Sequence, residues 1–244
     1  MHYEIPTEGY IPILDITIPI HWDNHAIVMF SLWFVLVPAM ILFLRYGKVR
    51  PTTYGIPGGT PKFAWPELPW TLHKMVLYSV IVLSIGSAGF AVLLSGGFSG
   101  TLHAWFGVAT IFLGVLQGLT AWYRGSHGGQ RGPGATHDDR TTWGGDHFDM
   151  SPQRWWFEAY HKTGGYFVLF SAGGALATGL SQFWMPSIAA AFLIVVISGF
   201  VLAVFLQGRG YHHDTYTSVY GHHPEHPFNK RRYKAMIDDR KMKP

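Results

Sequence analysis

The sequence has no cysteine and few charged residues. Of its 244 residues, 13% are charged and 48% are hydrophobic, whereas an average soluble domain has roughly a quarter of its residues charged. Without cysteine there are no disulfides, no thiolate chemistry, no Cys-ligated iron–sulfur cluster and no haem attached through Cys. The composition also excludes disordered tails and nucleic-acid-binding arms, so no nucleic-acid partner is expected. Histidine is present in excess, with 14 residues.

Several long stretches of the chain are free of charge, and the charged residues are crowded between them. A membrane helix needs about 20 mostly apolar residues. Five stretches reach this length: residues 24–44, 70–94, 101–122, 157–183 and 187–207. The apolar stretch 11–20 is too short to span. The sequence therefore predicts an all-α, multi-pass integral membrane protein in a lipid bilayer, as in a bacterial inner membrane, with an N-terminal segment 1–23 and a tail 208–244.

The basic residues are divided unequally between the two faces of this predicted topology. All 18 Lys and Arg residues fall in the two loops and the tail that share one face, or in the helical turns that border them. The other face carries Glu4, Glu8, Asp15 and Asp23. Because basic residues concentrate on the cytoplasmic side, we expect the N-terminus outside and the C-terminus in the cytoplasm. The acidic outer face suits a basic soluble partner such as a c-type cytochrome.

Four of the five spans each carry one histidine about a turn from their N-terminal end: His25, His73, His103 and His161. Because the spans alternate in direction, the first and third of these lie near the outer face, and the other two near the cytoplasmic face. Two neutral imidazoles facing each other inside a bilayer are what a haem b with two axial His ligands requires. A single zinc or copper ion would need three or four converging ligands. The sequence predicts two haem b groups, with these four histidines as the iron ligands.

Small residues follow two of the histidines on the same helical face. They are Gly107, Gly114 and Gly118 on the third span, and Gly165, Ala172 and Gly179 on the fourth. At about 100° per residue these positions stay close to the His direction, so they could form a slot for a macrocycle. The same pattern is also typical of a helix-packing seam.

Four basic residues lie next to the predicted cytoplasmic haem and could bind its propionates: Arg45, Lys74, Arg124 and Lys162. Each could equally extend to the membrane interface. Among the remaining histidines, His127, His137 and His147 lie in the Gly-rich loop 125–156, and the motif HHPEH begins at His222. We expect these loop and tail histidines to be solvated, with a metal-binding tract as the alternative.

Residues 24–182 resemble the cytochrome b561 family. The resemblance rests on HAIVMFSLWFVLVPAMILFLRYGK, on LPWTLHKMVLYSVIVLSIGSAGFAVLL, on LHAWFGVATIFLGVLQGLTAW and on YHKTGGYFVLFSAGGALATGL. It implies a four-helix core that carries two b haems, the first span paired with the third and the second with the fourth. Family members move electrons across a membrane, from ascorbate or another cytoplasmic reductant to an outside acceptor.

Three functions are compatible with these features. The first is a di-haem b carrier that moves electrons between a reductant (a quinol, an ascorbate-like molecule or a protein) and an acceptor, with the irons about 20 Å apart along the membrane normal. The second is an accessory or structural subunit, with or without haem, of a larger respiratory or photosynthetic complex. The third is a transporter. The sequence argues against this function, because no span is broken by paired Gly and Pro residues at mid-membrane. No catalytic residue is predicted.

Overall fold

The computed structural model describes residues 5–136, 139–222, 229–231, 233, 234 and 237, most of them helical. Four helices are long and apolar enough to cross a membrane: Trp22–Tyr46, Leu68–Leu94, Leu102–Arg124 and Pro186–Gly208. The predicted fold class is confirmed at this level, as a mostly helical membrane protein.

A small β-hairpin precedes the first helix. Strands β1 (Glu8–Ile11) and β2 (Ile16–Pro19) pair antiparallel. Asp15 in the connecting turn has a positive φ of 51°, a conformation that Asp tolerates better than most residues. The short apolar stretch 11–20 is thus largely strand and turn, and this hairpin is the one sheet among the described residues.

The first span is not a uniform α-helix. It consists of α1 (Trp22–Phe30), a π-helical segment (Ser31–Leu36) and α2 (Val37–Tyr46). Pro38 lies just after the π-helical segment and has no N–H to donate to the carbonyl of Phe34. Widening of the preceding turn is a recognised response to such a lost bond. The irregularity at Pro38 therefore extends over the π-helical segment that precedes it.

The remaining elements follow in chain order. They are α3 (Leu68–Leu94), α4 (Leu102–Thr120, continued by a 3₁₀ turn at Ala121–Arg124), α5 (Asp146–Asp149), α6 (Pro152–Gln182), α7 (Pro186–Gly208) and α8 (Thr215–Tyr220). Pro152 and Pro186 each occupy the first helical position, where the missing N–H costs nothing. Asp214 caps α8 and accepts hydrogen bonds from the N–H groups of Tyr216 and Thr217, each at 3.0 Å.

Helix α6 covers the fourth predicted span but is less apolar than the other long helices. It runs for 31 residues, more than enough to cross a bilayer, yet it is not among the helices that meet both the length and the hydropathy requirement. Its Gly, Ser, Thr, His and Lys residues lower its hydropathy. The count of five spans and their orientation therefore stay predictions.

The chain divides into two compact units. The first comprises Met1–Ile41, Lys74–Gly118 and Lys162–Leu202, and the second comprises Leu42–His73, Leu119–His161 and Ala203–Pro244. In the first unit, α1–α2, α3 and α6 contribute to one apolar cluster, against which Leu113 of α4 packs. The buried residues of this cluster are Leu32, Trp33, Val37, Val80, Val168 and Ala172.

The second unit has an aromatic core of its own, formed by Trp143, Phe148, Tyr216 and Tyr220. These residues come from the long loop and from the tail, which are therefore folded together. For His127 and His147 the prediction of solvated side chains is wrong, because their Nε2 atoms are buried. His212 and His222 are exposed. The predicted loop residue His137 lies outside the described residues, as does the rest of the HHPEH motif after its first histidine.

Candidate functional site

His25 and His103 meet within the first unit. Each lies in the first turns of its helix, α1 and α4 respectively. Their ring centres are 6.2 Å apart and the ring planes are inclined by 83°. Both side chains are half-buried. The structure therefore brings together the two histidines that the sequence places at the predicted outer face.

The Nδ1 atoms of this pair have polar neighbours. His103 Nδ1 lies 2.8 Å from the main-chain oxygen of Ala175 in α6, and His25 Nδ1 lies 3.3 Å from Ser87 Oγ in α3. Because a carbonyl oxygen only accepts hydrogen bonds, His103 donates from Nδ1 and keeps the lone pair on Nε2. Hydrogen bonds of this kind fix the tautomer and orientation of histidines that bind metals.

A mostly apolar cavity of about 250 Å³ surrounds these two histidines. Gly107 lines it, and a Cβ added there would meet no atom within 4 Å, so the space beside α4 is open. Gly179 also lines the cavity, where a Cβ would lie 2.9 Å from His103 Nδ1. Trp33 is a further lining residue, and its buried Nε1 has no hydrogen-bond partner among the described residues. Open space, two imidazoles and this indole N–H fit a planar ligand with polar substituents.

The other small residues have different surroundings. A Cβ at Gly114 would lie 3.2 Å from the ring of Trp33, and a Cβ at Gly118 would lie 3.2 Å from the ring of Tyr78. These two glycines allow close packing of helices, the alternative that the sequence left open. At Gly165 a Cβ would meet no atom within 4 Å.

His73 and His161 meet within the second unit. They lie on α3 and α6, with ring centres 6.4 Å apart and an interplanar angle of 68°. Phe157, one turn before His161, stacks on its ring at 5.1 Å with an angle of 25°. The guanidinium of Arg154 lies 5.0 Å from the centre of the Phe157 ring. Thus each of the two predicted pairs is found, one in each unit.

The ring separations have a simple geometric meaning. A metal–nitrogen bond to imidazole is about 2.0–2.1 Å long and the ring centre lies about 1.1 Å further on, so imidazoles on opposite sides of one metal have centres about 6.3 Å apart. The observed separations are 6.2 and 6.4 Å. A direct hydrogen bond between two ring nitrogens would bring the centres closer, to about 5.3 Å. Both pairs therefore have the spacing of opposed axial ligands.

The four predicted propionate partners lie at the periphery. Arg45, Lys74 and Lys162 are exposed and Arg124 is half-buried. The Arg45 guanidinium lies 5.6 Å from the centre of the Tyr46 ring. These positions are compatible both with binding an anionic group and with extension to the interface.

Two contacts of the candidate site were missed at the sequence level. Ser87 and Ala175, which contact His25 and His103, each lie 14 positions after the histidine of their own helix. Fourteen residues at 100° return to within about 40° of the starting direction. Searching the faces of α3 and α6 for a residue at this interval would have found both.

Within the described residues, no group of three or more His, Cys, Asp or Glu side chains is arranged to hold a metal ion. No protein family, curated protein or solved structure matches the chain. The resemblance to the cytochrome b561 family therefore rests on the sequence motifs alone.

Proposed function

We propose that the protein is a di-haem b membrane cytochrome that carries electrons between a reductant and an acceptor. The observation that carries this proposal is the spacing of the two helix-borne histidine pairs, 6.2 and 6.4 Å between ring centres. The two pairs are separate, and each has the spacing expected for ligands on opposite sides of one metal. They lie on the helices whose sequences resemble the cytochrome b561 family. Both observations favour two haems over a single metal ion.

In the His25–His103 pair, polar groups of neighbouring helices orient the two imidazoles and set which nitrogen carries the proton. The carbonyl of Ala175 holds the proton of His103 on Nδ1, and Ser87 can do the same for His25. Both Nε2 lone pairs are then available to an iron, while Gly107 and Gly179 leave room beside the rings. A haem held by both imidazoles would supply one-electron transfer and would leave no iron position open for substrate chemistry.

In the His73–His161 pair an aromatic ring supports one of the two imidazoles. The stacked ring of Phe157 limits rotation of the His161 imidazole. The guanidinium of Arg154 lies over the Phe157 ring and forms an ion pair with Glu158 at 2.8 Å. A charge held here would influence a cofactor bound to these histidines, so we expect different properties for the two haems.

The proposal includes five spans with the N-terminus outside and the C-terminus in the cytoplasm, as in a bacterial inner membrane. Helix α6 is the span whose low hydropathy needs a reason. Gly179 and His161 of this helix belong to the proposed sites, and small and polar residues are tolerated in a span when they face the helix bundle. The distribution of the 18 Lys and Arg residues supports the orientation.

The proposed partners follow from charge. On the basic face the reductant is a quinol, an ascorbate-like molecule or a protein. On the acidic face, where Glu8, Asp15 and Asp23 lie among no Lys or Arg, a basic soluble cytochrome is a suitable acceptor. The rate at which this cytochrome oxidises the protein should fall as ionic strength rises, because salt screens the attraction between the acidic face and the basic cytochrome.

The test is the haem content of the purified full-length chain in detergent. We expect a b-type band in the reduced-minus-oxidised spectrum and two haems per chain. His103→Ala and His161→Ala should each lose one haem and keep the other, and the exposed control His212→Ala should keep both. Absence of a b-type band, or loss of both haems in each single variant of a folded protein, would contradict the proposal.

A further inference from the structure

A third histidine pair lies outside the proposed haem sites. His127 and His147 belong to the long loop of the second unit, and their ring centres are 5.1 Å apart with the planes inclined by 46°. The His127 ring also contacts that of Tyr220, at 5.8 Å. Residues 20 positions apart in a Gly-rich loop have thus been brought side by side.

The main chain holds these two histidines in place. Gly128 and Gly145 both have positive φ, 66° and 131°. A Cβ on the first would lie 2.2 Å from the carbonyl oxygen of Gly144, so only glycine permits this approach. The N–H of His147 donates to the carbonyl of Ser126 at 3.1 Å.

Ser126 and Asp146, the residues that precede the two histidines, add further hydrogen bonds. Asp146 Oδ2 accepts from the N–H and from the hydroxyl of Ser126, both at 2.8 Å. The N–H of Asp146 in turn lies 2.9 Å from Ser126 Oγ. The two segments are therefore linked directly before each imidazole, and the rings belong to a preorganised arrangement.

Both imidazoles are in the state that binds metals. Burial, and after it the charge of nearby arginines, lowers the pKa of His127 to about 4 and that of His147 to about 2. Each ring is therefore neutral near pH 7, with one nitrogen lone pair. Within the part of the chain that the structure describes, neither Nε2 atom has a hydrogen-bond partner although both are buried. Buried polar atoms of this kind are normally satisfied by a protein group, a water or an ion.

The ring separation distinguishes this pair from the two on the helices. At 5.1 Å the centres are too close for opposed axial ligands, which require about 6.3 Å. A direct hydrogen bond through the Nε2 atoms, which would give a similar separation, is not formed, because neither Nε2 has a partner among the described residues. Two imidazoles at the tetrahedral angle on one metal ion have centres about 5.1 Å apart for the same bond length. We propose that His127 and His147 bind one divalent transition-metal ion that prefers tetrahedral coordination, such as Zn²⁺. Water molecules complete the coordination of this ion.

Charged groups of both signs surround this pair. The cations that act on it are Arg124, Arg131 and Arg154. Arg131 forms an ion pair with Glu67 at 2.7 Å, and Arg154 forms one with Glu158 at 2.8 Å. Asp146 and Asp149 add negative charge beside His147. The carboxylates therefore compensate part of the positive charge around the pair, and the remainder lowers the affinity for a divalent cation.

Since no third His, Cys, Asp or Glu joins the pair among the described residues, the proposed site has two protein ligands and exchangeable waters. We expect moderate affinity and an ion that a chelator removes. The site is independent of the proposed function, because neither histidine takes part in the helix-borne pairs.

The experiment measures zinc bound to the full-length protein. Protein stripped with a chelator is titrated with Zn²⁺, and its metal and haem contents are determined on the same samples. We expect His127→Ala and His147→Ala to weaken binding at this site at least tenfold, and the exposed control His212→Ala to leave it unchanged. His147→Gln repeats the test with a side chain closer in size to the imidazole than alanine.

X-ray absorption at the zinc edge provides a second measurement that does not depend on affinity. We expect two imidazoles and oxygen ligands in the wild type, and one imidazole in His147→Gln. Equal zinc binding in all variants, or a spectrum without imidazole, would overturn the proposal and leave a buried water as the partner of the two Nε2 atoms. Loss of haem with unchanged zinc binding would concern the proposed function alone.

Discussion

The His25–His103 pair and the His127–His147 pair show two ways of bringing imidazoles together. The first lies on helices, with ring centres 6.2 Å apart, and each Nδ1 has a polar neighbour on another helix. The second lies on loops, with centres 5.1 Å apart, and both Nε2 atoms are buried without partners in the described chain.

The difference in spacing is 6.2 − 5.1 = 1.1 Å, and it changes the expected chemistry. The longer separation suits opposed ligands on one iron, and the shorter one suits adjacent ligands on a tetrahedral ion. Helix packing sets the first distance, whereas direct contact between main-chain segments sets the second. Substitutions at glycines should therefore affect the two pairs separately.

The largest effect is expected for Gly128→Ala. This residue has φ 66° and ψ −158°, a region that is essentially restricted to glycine and costs other residues about 1–3 kcal/mol. A Cβ would also collide with the carbonyl of Gly144. We expect a loss of about 3 kcal/mol or more in the free energy of unfolding, measured by thermal or denaturant unfolding in detergent with tryptophan fluorescence.

Gly134→Ala is the matched control for this substitution. Gly134 also has a positive φ, 78°, but a Cβ there would meet nothing within 4 Å. Only the backbone penalty remains, about 1 kcal/mol. Equal destabilisation of the two variants would show that the contact between the two loop segments does not hold the His127–His147 pair.

The next effect is expected for Gly179→Ala, on the helix-borne pair. The added Cβ would lie 2.9 Å from Nδ1 and 3.1 Å from Cε1 of His103, so the ring must move and its hydrogen bond to Ala175 must weaken. Orienting bonds of this type are worth 10- to 100-fold in metal affinity. We expect loss of one haem from the purified variant at limiting haem, with the other retained.

Gly173→Ala provides the control on the same helix, because a Cβ at that position would meet nothing within 4 Å. Alanine is favoured over glycine inside a helix by about 1 kcal/mol. This variant should therefore keep both haems and be no less stable than the wild type. If Gly179→Ala and Gly173→Ala retain haem equally, the cavity around His103 does not require glycine at position 179.

The sequence alone predicted the helix-borne pairs because their signal is local. One histidine per span at matched depth, together with the alternating direction of the spans, was sufficient to pair His25 with His103 and His73 with His161. Apolar length likewise predicted the long helices. Helix α6 was recognised as a helix, but its polar and small residues leave its status as a span to the proposal.

The loop pair could not be predicted from the sequence, because contacts between residues 127 and 147 depend on tertiary folding. The composition of the loop, rich in Gly and polar residues, suggested solvent exposure. The aromatic residues Trp143 and Phe148 were the available signal, since buried aromatic side chains are typical of a core. Their partners Tyr216 and Tyr220 lie in the tail, about 70 residues away, where no periodic pattern reveals the contact.

A smaller effect is expected for Phe157→Leu, which tests the contrast between the two helix-borne pairs. The Phe157 ring stacks on that of His161, and aromatic pairs contribute about 0.5–1.5 kcal/mol beyond their buried area. In a potentiometric titration we expect one of two haem components to shift and the other to stay. Phe167→Leu, at a residue of the same helix that is 59% exposed, should shift neither. A shift of both components by Phe157→Leu would argue against separate sites.

The smallest effect is expected for Ser87→Ala. Ser87 Oγ lies 3.3 Å from His25 Nδ1, a long hydrogen bond worth about 0.5–1.5 kcal/mol. In an iron-bound histidine Nδ1 carries the proton, and an acceptor for that proton makes the ligand more basic and stabilises the oxidised iron. Removal of the hydroxyl should therefore raise the midpoint potential of one haem, by roughly 20–60 mV at 59 mV per factor of ten.

Ser79→Ala removes a hydroxyl that donates to the carbonyl of Met75 on the same helix and should leave both potentials unchanged. A lowered potential in Ser87→Ala would mean that Ser87 donates to His25, and the assignment of Nε2 as the metal-binding atom would then be wrong.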